Sequence, residues 1–182
     1  GLSVIRDCGY LKDLLDEQPE RYMGEQHVKK YGSSPGILVK VLNSGMRLLV
    51  QAHPSEEKAK KYFNSPFGKT EAWYILDTEE DQPAYIYAGF LPGVNREKIL
   101  CCLHRFKIKK GDMIYIPAGM PHALGEGSLV LEIQEPSDIT LRAEQVRPDG
   151  SELPKEAYYS GLTLEDMLDC FDFTCRSRKE TW

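Results

Sequence analysis

The chain has 182 residues, a length suited to one domain, and its 41% hydrophobic and 28% charged residues are enough to build a core under a polar surface. A formal net charge of −5 gives no global attraction to nucleic acid or to an anionic membrane, so neither partner is expected, and an anionic small molecule would need a local basic pocket. No apolar run approaches the roughly 20 residues of a membrane helix, and Arg6 and Asp7 stand where a secretory leader would need an apolar stretch. The five cysteines (Cys8, Cys101, Cys102, Cys170 and Cys175) are odd in number and form no CxxC. They predict reduced thiols in a cytoplasmic protein rather than a disulfide framework. The chain begins at Gly1 rather than methionine, as a processed chain or a piece of a longer one would.

In GYLKDLLDEQPERY, Leu11, Leu14 and Leu15 have helical spacing, and Pro19 interrupts or restarts the helix. YGSSPG (31–36) is a turn cluster and a boundary. Beyond it the period changes. GILVKVL and MRLLVQAH read as strands around the turn Asn43-Ser44-Gly45. SEEKAKKYF reads as a short helix with Ser55 as its N-cap. EAWYILD and PAYIYAGF are strands separated by an acidic turn, and 95–104 has helical spacing with Asn95 as a cap. FKIKKGD, MIYIP, HALGEG and SLVLEIQE follow as short strands. Short strands with glycine turns predict an antiparallel barrel or jelly roll. The tail, 161–173, reads as an amphipathic helix.

Within MRLLVQAH, alternation puts Gln51 and His53 on one face with Leu49, opposite Leu48, Val50 and Ala52. A glutamine and a histidine aimed together at the end of an apolar strand need partners. Glu71, opening EAWYIL, supplies a carboxylate. His122 follows a turn shaped by Pro117 and Gly119. Two imidazoles, one carboxylate and one amide oxygen suit a borderline divalent ion such as zinc and leave positions for water or substrate. Taken singly, each residue has an ordinary reading as surface or satisfied core, and His27 and His104, in helical, charged contexts, keep it.

The spacing Gly111-x5-Pro117-x-Gly119-x2-His122 resembles the second cupin motif. Gln51-x-His53-Pro54 with Glu71 resembles the first motif of the type I phosphomannose isomerases, which reads QxHP in place of His-x-His. LVKVLNSGMRLLVQAHP, GKTEAWYIL and EIQEPSDITLRAEQ extend the resemblance along the chain. It departs at Gly68, where long-branch members place histidine, and at Leu141, where many short-branch members have tyrosine. The family's usual preceding segment and second cupin-like domain are not visible.

The resemblance implies a mainly β fold: a cupin jelly-roll barrel with flanking α-helices. Residues 1–35 would be a helical lead-in and 36–143 the metal-binding barrel. Residues 144–182 would be a C-terminal segment whose helix packs on the same domain. It implies one zinc ion per chain on Gln51, His53, Glu71 and His122. Lys40, Lys69 and Arg142 would contact a sugar-phosphate substrate, and Arg142, Lys69 and Asp138 would serve catalysis. The implied reaction is interconversion of mannose 6-phosphate and fructose 6-phosphate through an enediolate, with Lys69 and Asp138 both open as the proton carrier. Nothing in the sequence specifies an oligomeric state.

Ordinary readings compete. Lys40 in an apolar strand reads as pointing outward, Lys69 in a loop as solvent-exposed, and Asp138 with Arg142 as a surface ion pair. Trp73, Tyr74, Tyr85 and Tyr87 read as sheet packing, with a sugar-lining role the less ordinary alternative. The rival functions are a non-catalytic sugar- or sugar-phosphate-binding regulatory cupin and an iron or manganese oxygenase; a storage-type cupin has no need of four aligned ligand types.

Overall fold

Strand alternation determines most of the architecture. The computed structural model describes residues 3–81, 83–93 and 102–174. Its contacts divide the chain into Gly1–Leu38 and Val39–Trp182.

In the first unit, β1 (Val4–Ile5) pairs antiparallel with β2 (Gly9–Tyr10). Three short helices follow: α1 (Leu11–Glu17), α2 (Pro19–Met23) and α3 (Glu25–Tyr31). Pro19 restarts the helix at a first-turn position, where its missing N–H costs nothing.

The second unit holds two sheets. One runs in the order β3 (Leu38–Ser44), β10 (Ser128–Gln134), β5 (Glu71–Thr78), β8 (Met113–Ile116). The other runs in the order β11 (Leu141–Arg142), β4 (Gln51–Ala52), β9 (His122–Leu124), β6 (Tyr85–Phe90), β7 (Leu103–Lys107). Pairings β10–β5, β5–β8, β11–β4, β4–β9, β9–β6 and β6–β7 are antiparallel.

A shared core joins the sheets: Trp73 and Ile75 from β5, Ile114 and Ile116 from β8, Ile86 and Ala88 from β6, Leu124 and Val130. Each fully buried isoleucine contributes roughly 1.5–3 kcal/mol. A second cluster (Ala52, Phe90, Leu141, Met167, Leu168, Cys170, Phe171) seats α5 (Leu164–Asp169) at one end of the five-stranded sheet. Helix α4 (Glu56–Phe63) bridges β4 and β5, and the Ser55 hydroxyl accepts from Lys58 N as a cap. Among the described residues no helix is long and apolar enough to cross a membrane.

Four expectations change. Residues 95–101 of the helix expected at 95–104 lie outside the described residues, and its end, Leu103 and His104, belongs to β7. MRLLVQAH is a regular strand only at Gln51–Ala52. Its other backbone groups are met individually: Leu48 N bonds the Leu124 carbonyl, and Val50 N bonds the Glu144 carboxylate, which also clasps Arg47. The tail helix spans only Leu164–Asp169, started by the Thr163 side chain. Asn43 and Ser44, expected in a turn, are the last two residues of β3.

Candidate metal centre

The site is a row of side chains fixed by register. Arg142 stands opposite Gln51, and Gln51 opposite His122, so the three share one face of the five-stranded sheet. On the other sheet Gln134 stands opposite Glu71 and Glu132 opposite Trp73. His53 lies two residues past Gln51 and on the same side, as alternation requires.

Backbone bonds lock the loops between these strands. Gly119 N donates to the His53 carbonyl at 2.7 Å, and Lys69 N to the Pro54 carbonyl at 3.1 Å. Gly119 has φ +84°, a conformation that a side chain disfavours. A Cβ at Gly68 would lie 2.6 Å from Glu56 N and 2.8 Å from the Pro54 carbonyl oxygen. Glycine is therefore what lets the GKTE loop lie against the start of α4, and no histidine fits at position 68 without moving that backbone.

His53, Glu71 and His122 are all buried and place one ligand atom each within 4.8 Å of one another. His53 Nε2 is 3.2 Å from Glu71 Oε1, and His122 Nε2 is 3.7 Å from Glu71 Oε2. Each imidazole donates its Nδ1–H to a backbone carbonyl, His53 to Ile139 and His122 to Met120, both at 2.9 Å. Those bonds set the tautomer and leave both Nε2 lone pairs facing the carboxylate. Gln51 Nε2 donates to His122 Nε2 at 3.4 Å, and a turn of the amide would present its oxygen instead. Both Glu71 oxygens are buried without a well-aligned hydrogen bond. Such a carboxylate calls for a cation. Lys69 supplies one at 2.9 Å, and its Nζ is also 3.3 Å from His53 Nε2.

The electrostatics agree with this reading. Burial pushes His122 down to about 4, helped by His53 and opposed by Glu71. Burial also lowers His53. Burial would raise Glu71, but the histidines in their protonated forms, with Lys69, outweigh it and hold the carboxyl well below its ordinary range. Neutral imidazoles beside an ionised carboxylate are the protonation states that a metal needs. The donor set fits a divalent ion.

Lys40, Lys69, Asp138 and Arg142 are arranged differently from their ordinary readings. Lys40 shares the inward face of β3 with Leu42, which packs on the core, while Val39 and Val41 are exposed. Its ammonium is 3.0 Å from Gln134 Oε1, 3.0 Å from Asp138 Oδ1 and 3.7 Å from Glu132 Oε1. Lys69 is buried rather than exposed. Asp138 pairs with Lys40 and not with Arg142, and Lys40 holds its carboxyl below the ordinary range. Arg142 makes no ion pair among the described residues. Trp73 is buried, and Tyr85 and Tyr87 stack edge to face beneath Arg105, which lies over Tyr85.

Sequence reasoning missed Glu132. It is buried on the inner face, accepts from Trp73 Nε1 at 3.1 Å, and is raised by burial and by the negative Glu71. A raised, buried carboxyl beside a metal-type cluster is a candidate proton carrier.

No protein-family model matches the chain. It is 40% identical over 152 residues to a Bacillus subtilis protein named "Probable mannose-6-phosphate isomerase GmuF", a match covering 78% of this chain and 47% of that one. The chain is homologous to the mannose-6-phosphate isomerases. Mannose-6-phosphate isomerase ManA from Bacillus subtilis is 36% identical over 154 residues, covering 78% of this chain and 47% of its own length. The crystal structure of the mannose 6-phosphate isomerase from Bacillus subtilis superimposes with a TM-score of 0.70 at 28% identity, over 90% of this chain and 51% of that one. The chain thus spans about half the length of these mannose-6-phosphate isomerases.

Proposed function

We propose that this chain interconverts mannose 6-phosphate and fructose 6-phosphate at a zinc ion held by Gln51, His53, Glu71 and His122, with its two sheets forming a cupin jelly roll. The observation that carries the reading is the buried convergence of two Nε2 lone pairs on a Glu71 carboxylate whose oxygens lack well-aligned hydrogen bonds. The homologous isomerases give the reaction class. A cytoplasmic setting suits the free thiols of Cys8 and Cys170.

Isomerisation moves a proton between C2 and C1. Zinc in this site would polarise the carbonyl and stabilise the enediolate oxygens. Glu132 accepts the proton from one carbon and returns it to the other. Burial favours its protonated form, so the protonated intermediate state is accessible, and Trp73 Nε1–H orients the carboxylate. Arg142 offers permanently charged planar donors to the substrate's oxygens. Asp138 is exposed and holds Lys40. That makes it a positioning residue rather than a proton carrier.

The test is a coupled assay for fructose 6-phosphate formation from mannose 6-phosphate, before chelation, after it, and with zinc restored. Activity should vanish and return. Arg142→Ala should lose most turnover while keeping bound zinc. A folded, zinc-loaded wild-type chain without turnover would refute the isomerase reading.

A further inference from the structure

A ligand holds a metal well only if something else aims it. Three of the four expected ligands have such partners. His53 and His122 are aimed by Nδ1–H bonds to the Ile139 and Met120 carbonyls, both at 2.9 Å, and Glu71 faces the Lys69 ammonium at 2.9 Å. Gln51 differs. Among the described residues its side-chain amide has one hydrogen bond, a long one of 3.4 Å to His122, itself a member of the cluster. The aim of Gln51 must therefore come from its backbone, which is a regular strand for only two residues, Gln51–Ala52.

The peptide units before Gln51 are held by another route. The Val50 carbonyl accepts from Ala143 N at 2.8 Å, and Val50 N donates to Glu144 Oε2 at 2.7 Å. Both bonds come from the two residues that follow Arg142, and Arg142 stands opposite Gln51. The same Glu144 Oε2 accepts from Arg47 Nη1 at 2.7 Å, and Oε1 accepts from Nη2 at 2.9 Å. Arg47 Nη1 also donates to the Leu48 carbonyl at 2.8 Å. One carboxylate thus takes three donors, for which its two oxygens have room and the single oxygen of an amide does not. The paired fork fixes the carboxylate's orientation as well as its place. Val50 is buried, so its N–H would find no water if the carboxylate left.

We propose that Glu144 is a positioning residue for Gln51: its carboxylate, locked by Arg47, replaces the missing strand partner of Val50 and so sets the direction from which Gln51 reaches the metal. The inference rests on the reading of Gln51 as a zinc ligand, and not on which reaction the metal serves.

The experiment measures zinc Kd by competition with a fluorescent indicator in the wild type, Gln51→Ala, Glu144→Ala and the double variant. None of its readouts depends on turnover. Each single variant should bind zinc about tenfold or more weakly, the loss expected when a ligand or its outer partner is removed. The double variant should be within about threefold of Gln51→Ala, because a residue that acts through Gln51 has nothing left to position. Losses that multiply in the double variant would mean that Glu144 supports the cluster by another route, and would overturn the proposal. Thr163→Ala, which removes the side-chain cap of α5, destabilises the fold away from the cluster and should keep Kd within about twofold. A loss there equal to that of Glu144→Ala would make general destabilisation the cause and would also overturn it. If Glu144→Ala does not fold, Glu144→Asp keeps the charge for Arg47 but is one methylene too short to serve Val50 N as well. It should still lose about threefold, and an unchanged Kd in that variant would count against the proposal decisively. Weakened binding in Gln51→Ala with wild-type binding in folded Glu144→Ala would sink the positioning role while the metal site stands. Wild-type binding in Gln51→Ala would instead remove Gln51 from the ligand set and take the proposal with it.

Discussion

Replacing Lys69 by methionine separates two cations that compete for one carboxylate. Lys69 Nζ lies 2.9 Å from Glu71, and both side chains are almost fully buried. Both histidines are pushed toward neutrality, so the ammonium is the positive charge that balances Glu71 near pH 7. Removing one member of a buried pair costs about 3–5 kcal/mol. Methionine keeps most of the apolar volume, so nearly all of the loss is electrostatic. A divalent ion would bring that charge back, and in Lys69→Met it would meet no ammonium in its place. Wild type should gain about 2.7 kcal/mol from zinc at 100-fold excess over Kd. The variant should gain more, so that its deficit shrinks from about 3 kcal/mol in chelator to under about 1 kcal/mol in zinc. Urea unfolding in chelator and in buffered zinc measures both gaps, and competition with a fluorescent zinc indicator should show the variant's Kd tightened about tenfold or more. Equal gaps in chelator and zinc would mean that the ion does not sit on Glu71, and the site argument would fail.

Three further outcomes follow from the same geometry. His122 has its folded-state value lowered to about 4 from 6.5, so its contribution is present above pH 6.5 and is lost as pH falls toward 4; chelated protein should lose about 3 kcal/mol over that window, and His122→Gln should flatten the urea-midpoint profile. Glu132→Gln keeps the shape but removes the proton carrier, so kcat should fall about 10²–10⁴-fold with zinc content unchanged, and near-normal kcat would assign the proton to another group. Gly68→Ala forces a Cβ to 2.6 Å from Glu56 N, and thermal or urea unfolding should register a loss of about 1–3 kcal/mol; a neutral result would show that the GKTE loop shifts freely.

The cluster of His53, Glu71 and His122 was legible because period and punctuation bring it together. Two residues apart on a strand share a face, a glutamate heads the next strand, and a Pro-x-Gly turn delivers the last histidine. Glu132 and Lys40 were harder for a definite reason. In SLVLEIQ, polarity predicts that Leu129, Leu131 and Ile133 point inward, yet Ser128, Val130, Glu132 and Gln134 are the buried set and Ile133 is exposed. In β3, Val39 and Val41 face out and Lys40 faces in. Alternation identifies which residues share a face, but polarity misidentifies the inside wherever the interior is itself a polar site. The pairing of Asp138 with Lys40, 98 positions earlier, depends on strands that meet only after folding. The brevity of β4 was hidden likewise, because the group that replaces its ladder partner is a side chain at Glu144.

The bonds from Gly119 N to the His53 carbonyl and from Lys69 N to the Pro54 carbonyl have a kinetic meaning. They tie the peptide of one candidate ligand to the turn that delivers the next and to the loop leading into the third. Loading and unloading an ion then asks for a swing of one lysine and a rotation of one amide, with no rearrangement of the chain. Chain rearrangement would then add no barrier of its own to that of making and breaking the metal–ligand bonds, and the spacing of the candidate ligands would stay the same whichever divalent ion the surroundings supply.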